Sequence, residues 1–136
     1  METRATVTIR EGDRNSTLLC KLYVHYDGYP SGLGADLARL MAGKKIVSGI
    51  AYGSDISKQY NGMSCFAASV VSVLKTGPGN VYLVSAEHGS EEYDYVINSF
   101  NDITVWSWGE QIFSGNAEEL KAFCELYDME DDSNEN

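Results

Sequence analysis

The sequence predicts an α+β domain, a mainly antiparallel sheet of about five or six strands with three helices. Three observations carry this. Strict alternation of apolar and polar residues runs through Ala5, Val7 and Ile9 and again through Leu18, Cys20, Leu22 and Val24. Three later runs rich in aromatic and β-branched residues, Val81 to Ala86, Tyr93 to Ser99 and Ile103 to Trp108, are separated by turn chemistry. Between and after these groups lie segments with helical spacing.

The first two alternating segments flank Gly12, Asp13 and Asn15, so they read as a β-hairpin. Alternation stops at Tyr26-Asp27-Gly28-Tyr29-Pro30-Ser31, where Gly and Pro interrupt a strand and the residue before Pro avoids the helical region. Ser31 is the expected N-cap of a first helix that buries Leu33, Leu37, Leu40 and Met41 and ends at Gly43. From Lys44 to Gly62 no long element is evident, and a loop of that length is a candidate working loop. Met63 to Lys75 is apolar almost all round, which predicts a central helix burying Val70, Val71 and Leu74, stopped by Gly77-Pro78-Gly79-Asn80. A short strand, Gln111 to Phe113, precedes a last helix capped by Asn116, with Glu118 and Glu119 in its first turn and Leu120, Phe123, Cys124 and Tyr127 along one side.

A chain of 136 residues, 43% of them hydrophobic, supports one core, so residues 1–127 are expected to form one domain. The net charge is −10, and half of it comes from the acids of residues 128–136, a segment expected to be a disordered acidic tail. This balance disfavours direct binding of nucleic acid or of an anionic membrane. A charged N-terminus and the lack of a long apolar run point to the cytoplasm. Cys20, Cys65 and Cys124 lie far apart, without metal-ligand spacing, and read as reduced.

No residue constellation here specifies catalysis. His25 and Asp27 invite an acid–base reading, but no nucleophile is tied to them, and a structural hydrogen bond accounts for them better. His88 sits in a polar turn and reads as solvated surface. Gly32-Leu33-Gly34 lacks the third glycine of a dinucleotide-binding turn, since Leu37 follows. The features that point to binding are local. Backbone N–H groups at the helix start attract anions, Gly32 and Gly34 allow close approach, and Tyr26 or Tyr29 can stack on a flat ring. Arg39, Lys44, Lys45 and Lys58 form a basic cluster in a stretch whose only acid is Asp55, which fits either a phosphate-bearing ligand or compensation of a helix end. Ser31, at about 1.5 Å of rise per residue, lies about 15–20 Å from Lys44, so one ligand spanning both would need two subunits. Aromatic residues at 11% exceed what one small core readily hides, and a homo-oligomer with its site between subunits is expected.

One combination of residues extends this reading: Tyr23-Val24-His25-Tyr26-Asp27-Gly28-Tyr29-Pro30-Ser31-Gly32-Leu33-Gly34, then Asn61-Gly62-Met63-Ser64-Cys65-Phe66, and a closing Gly115, Glu118, Glu119, Leu120, Phe123 and Cys124. It resembles a family of small bacteriophage and prophage proteins with a Y-x-x-[FY]-D-G-Y-P-S-G-x-G block. Val24 stands where that family's pattern carries Arg. The resemblance implies an accessory protein that counters host defence, of which one group sequesters nucleotide second messengers. The expected function is therefore non-enzymatic capture of an anionic, nucleotide-like molecule, with no cofactor. The alternative is an acidic protein–protein inhibitor of a host defence protein or nucleic-acid enzyme.

Overall fold

The computed structural model describes the backbone of residues 2–134 and side chains as far as Tyr127. Strands β1 (Ala5–Arg10) and β2 (Leu18–Val24) pair antiparallel, with Val7 opposite Leu22, so the alternating pattern becomes one face of a hairpin. β3 (Lys45–Val47) and β4 (Gln59–Asn61) form a separate two-stranded parallel pair, with a 3₁₀ turn, Ile56–Lys58, before β4. β5 (Val81–Val84), β6 (Tyr93–Ser99), β7 (Asp102–Ser107) and β8 (Glu110–Gly115) complete the main sheet in the order β5-β2-β1-β6-β7-β8. Its neighbours are antiparallel except at the centre, where β1 runs parallel to β6. The expected α+β architecture is therefore present, with the hairpin and the later meander joined by that parallel contact.

The helices are α1 (Ala35–Met41), α2 (Met63–Leu74) and α3 (Ala117–Asn134). The side chains of β1, β2, β6 and β7 that face them form the core, with Val7, Ile9, Leu22, Tyr95, Ile97, Ile103 and Val105 almost fully buried. Each such aliphatic side chain contributes about 1.5–3 kcal/mol of burial. The reciprocal bonds Glu119 N–H to Asn116 Oδ1 and Asn116 N–H to Glu119 Oε1, both 2.9 Å, make a capping box at α3. No helix among the described residues is long and apolar enough to cross a membrane. The tail expected to be disordered, 128–136, falls on residues whose side chains, and for 135–136 the backbone, lie outside the described part.

Several local expectations are corrected. Ser31 is not a helix N-cap: Pro30–Gly34 forms one π-helical turn preceded by Tyr29, and α1 starts only at Ala35. The helix over 63–74 is amphipathic rather than buried all round. Val70 is fully buried with Phe66, while Val71 and Leu74 are partly buried and Val73 is 52% exposed. The segment from Lys44 to Gly62 holds the β3–β4 pair, which three-residue strands left without a legible period. Tyr60 pins this pair to α1 by donating to the Leu40 carbonyl at 2.6 Å.

Candidate functional site

The Asp27 to Gly34 turn is shaped by its own packing. Gly28 sits so close to β1 that an added Cβ would lie 2.6 Å from both Ala5 Cβ and the Thr3 carbonyl oxygen. Its N–H donates to that carbonyl at 2.8 Å, and its own carbonyl accepts from Tyr95 Oη at 2.7 Å. Gly34 is buried, and a Cβ there would lie 2.8 Å from Cys124 Sγ. The glycines thus admit the protein's own chain. Gly32 serves the same end, since its Cβ would meet the Asp27 carbonyl oxygen at 2.7 Å.

The N–H groups expected to attract an anion are also engaged. Gly32 N–H donates to the Tyr29 carbonyl at 3.0 Å and Leu33 N–H to the Asp27 carbonyl at 3.1 Å, with a longer bond from Gly34 N–H to Tyr29. These bonds close the π turn and consume the donors of a helix start.

What the turn leaves open is a hollow of about 310 Å³ between it, the end of β2, α2 and the 80–81 segment. Val24, Leu33, Leu74 and Val81 give it an apolar floor, and Tyr26, Tyr29, Ser31, Asp36 and Asn80 a polar rim. Asp27 and Gly32 complete the lining on the turn side. Asn80, in a left-handed conformation at φ 61°, fixes the rim: its Oδ1 accepts from Tyr26 N–H and its carbonyl from His25 N–H, both at 2.8 Å. Tyr26 is 48% exposed and stacks edge-on against His25, 4.6 Å between ring centres. A second hollow of about 300 Å³ shares Asp36 and Leu74 with the first and adds Arg39, which is ion-paired to Asp36.

The sequence-predicted site residues therefore divide. Tyr26, Tyr29, Ser31 and Gly32 line one hollow, and Gly34 lies beneath it in the packing against α3. Lys44, Lys45 and Lys58 lie on the β3–β4 pair and its flanks, outside that lining. Lys44 stands 6.0 Å from the centre of the Tyr60 ring, and Lys45 and Lys58 are exposed. Asp36, Asn80 and Leu74 were missed, and Arg39 of the basic cluster is separated from its lysines, because these residues become neighbours only when α1, α2 and the chain after it fold onto β2.

The titratable groups have structural partners. His25 bonds Tyr23 Oη through Nδ1 at 2.7 Å, with Glu2 3.4 Å from Nε2. The Arg4 guanidinium, by hydrogen bond and charge, holds the Glu2 carboxyl below its usual range. His88 is not the solvated residue its polar turn suggested. It is largely covered, lies 2.9 Å from Glu91, and its ring stands 5.3 Å from Tyr23. Burial pushes the Cys124 thiol up to about 12 and raises Cys20, which disfavours the thiolate a nucleophile requires. Among the described residues no group of three or more His, Cys, Asp or Glu side chains is placed to hold a metal ion.

The helix-free face of the sheet carries a different surface. A hollow of about 320 Å³ involves Thr6, Thr8, Lys21, Asp94, Val96 and Trp106, and an adjoining one of about 260 Å³ shares Val96 and Trp106 and adds Arg10, Arg14 and Asn98. The 85–92 loop folds towards this face, where Lys21 Nζ donates to the His88 carbonyl at 2.7 Å. No family model, curated protein or solved structure matches this chain.

Proposed function

We propose that the protein is a non-enzymatic binding protein that captures a nucleoside-bearing signalling molecule in the hollow rimmed by Tyr26 and Tyr29. The carrying observation is the convergence of Tyr26, Tyr29, Ser31 and Asn80 around an apolar floor in a hollow of about 310 Å³. Sites of this size, apolar below and polar at the rim, suit small ligands. An exposed tyrosine offers a platform for a base, a contact worth about 1–3 kcal/mol. The carboxylates of Asp27 and Asp36 suit the hydroxyl donors of a ribose and repel a phosphate placed beside them. An anionic part of the ligand is therefore best accommodated towards Arg39 in the adjoining hollow. The three lysines of the β3–β4 region have no part in this arrangement within one subunit.

Sequestration rather than turnover agrees with the engaged histidines and the raised thiols. The resemblance to phage accessory proteins supports a counter-defence role in the host cytoplasm, and the 11% aromatic content supports assembly into a homo-oligomer. Titration calorimetry with adenosine, guanosine and their 5′-monophosphates tests the reading. Tyr26→Ala should weaken binding at least about tenfold, equivalent to about 1.4 kcal/mol. Arg39→Ala should weaken the monophosphates more than the nucleosides. Heats absent across this panel, or unchanged in Tyr26→Ala, would sink the proposal.

A further inference from the structure

We propose that the helix-free face carries a second, separate site, for a flat heteroaromatic ligand bearing a phosphate or carboxylate, centred on Arg10, Arg14, Asn98 and Trp106. Three irregularities of the main sheet converge there. The register shifts between Ile9 and Arg10 in β1, between Ile97 and Ser99 in β6, and between Val105 and Trp106 in β7. Bulges re-aim side chains and gather beside functional surfaces. Alternation places Arg10, Asn98 and Trp106 on this face with Thr8, Val96 and Thr104, and at the three shifts they line one hollow of about 260 Å³.

The charge of this hollow departs from the rest of the chain. The protein has 20 acidic and 10 basic residues, yet two guanidiniums and no carboxylate line the hollow. Asp102, just outside, lies 3.7 Å from Arg14 Nε and accepts from Asn98 Nδ2 at 3.1 Å. Arg10 makes a long bond, 3.3 Å, to the Ser16 carbonyl, which leaves most of its planar donor fork available for an oxoanion.

Asn98 is the independent indication. It is 2% exposed, and its Oδ1 is a buried acceptor with no hydrogen-bond partner. Buried polar atoms are satisfied in nearly all native proteins, so an orphan at a bulge calls for a donor from outside the chain. A ring N–H or exocyclic amine supplies one once the exposed Arg14 and Gln111 side chains rotate aside. The Trp106 indole, restrained by its Nε1 donating to Thr104 Oγ1 at 3.1 Å, then serves as the stacking surface.

The test is a fluorescence titration of the full chain carrying Trp108→Phe, which leaves Trp106 as the reporter. Guanosine 5′-monophosphate is the probe, with guanosine and inorganic phosphate as comparisons. Saturable quenching by the monophosphate is expected, at least about tenfold weaker for guanosine, weakened again by salt, and competed by phosphate. Arg14→Glu, at a residue 73% exposed and thus compatible with folding, should abolish it. Tyr26→Ala, in the other hollow, should leave it unchanged, so this site can fail or stand independently of that one. No saturable quenching up to about 1 mM, quenching that survives Arg14→Glu, or quenching lost in Tyr26→Ala would each overturn the proposal.

Discussion

The hydroxyl of Tyr95, on the buried face of β6, donates to the carbonyl of Gly28 at 2.7 Å and so ties the centre of the sheet to the turn that rims the candidate site. Tyr95→Phe removes the donor and leaves a buried carbonyl unpaired, at a cost of about 1–3 kcal/mol. Urea denaturation should show that loss, and any ligand of the Tyr26–Tyr29 hollow should bind more weakly because its rim is no longer held.

Gly28→Ala and Gly12→Ala should behave oppositely. The new Cβ at 28 meets Ala5 and a backbone oxygen at 2.6 Å, whereas nothing lies within 4 Å at 12. Overpacking against a strand should cost about 1–3 kcal/mol or more at 28, and the exposed site should change by less than about 0.5 kcal/mol. Paired thermal melts would check both.

The helical pattern of α2 was read correctly in extent but not in facing. Val70→Asp buries an unpaired charge and should unfold the domain, while Val73→Asp, at a side chain 52% exposed, should fold normally. Circular dichroism of the two variants separates them.

This contrast shows what the sequence could and could not disclose. Alternation located β1 and β2 because each has one buried face, aromatic and β-branched content located β6, and Asn116 with Glu119 marked the start of α3. The turn at Tyr26–Gly34 was legible as a break, but its π geometry was not, because glycines that admit a ligand and glycines that admit Ala5, Thr3 or Cys124 look the same in one dimension. All-round apolarity hid the exposed side of α2, since Val73 and Val70 are the same residue type. Arg10, Asn98 and Trp106 were out of reach for another reason: they stand on three strands, and the parallel β1–β6 pairing that unites them leaves no local signal.

Alkaline pH should destabilise the fold through Cys124. Its thiol is raised by burial from 9.0 to about 12, so the folded state stays protonated where the unfolded chain ionises. Stability is unaffected below about pH 9, then falls by up to about 1.4 kcal/mol per pH unit until the folded thiol itself ionises near 12. Tyr95, also raised by burial, adds to the loss at the upper end. Denaturation series of wild type and Cys124→Ala should diverge across this window, and the native thiol should react far more slowly with an alkylating reagent than the unfolded one.

Lys75 guards the open edge of the sheet at β5. Its Nζ donates to the carbonyls of Gly79 and Val81, each at 2.8 Å, and lies 5.4 Å from the centre of the Tyr82 ring. Tyr82 and Leu83 beside it are exposed, so Lys75→Ala should uncover an apolar strand edge and raise concentration-dependent self-association. Light scattering over a dilution series would register the change.

The most direct test of the proposed ligand hollow is a ¹H–¹⁵N correlation spectrum of the full chain titrated with guanosine. Saturable shifts at the backbone amides of Ser31, Gly32 and Asn80, with those of Lys45 and Lys58 unmoved, are the predicted result. Shifts confined to the β3–β4 region, or none at saturating nucleoside, would contradict the account.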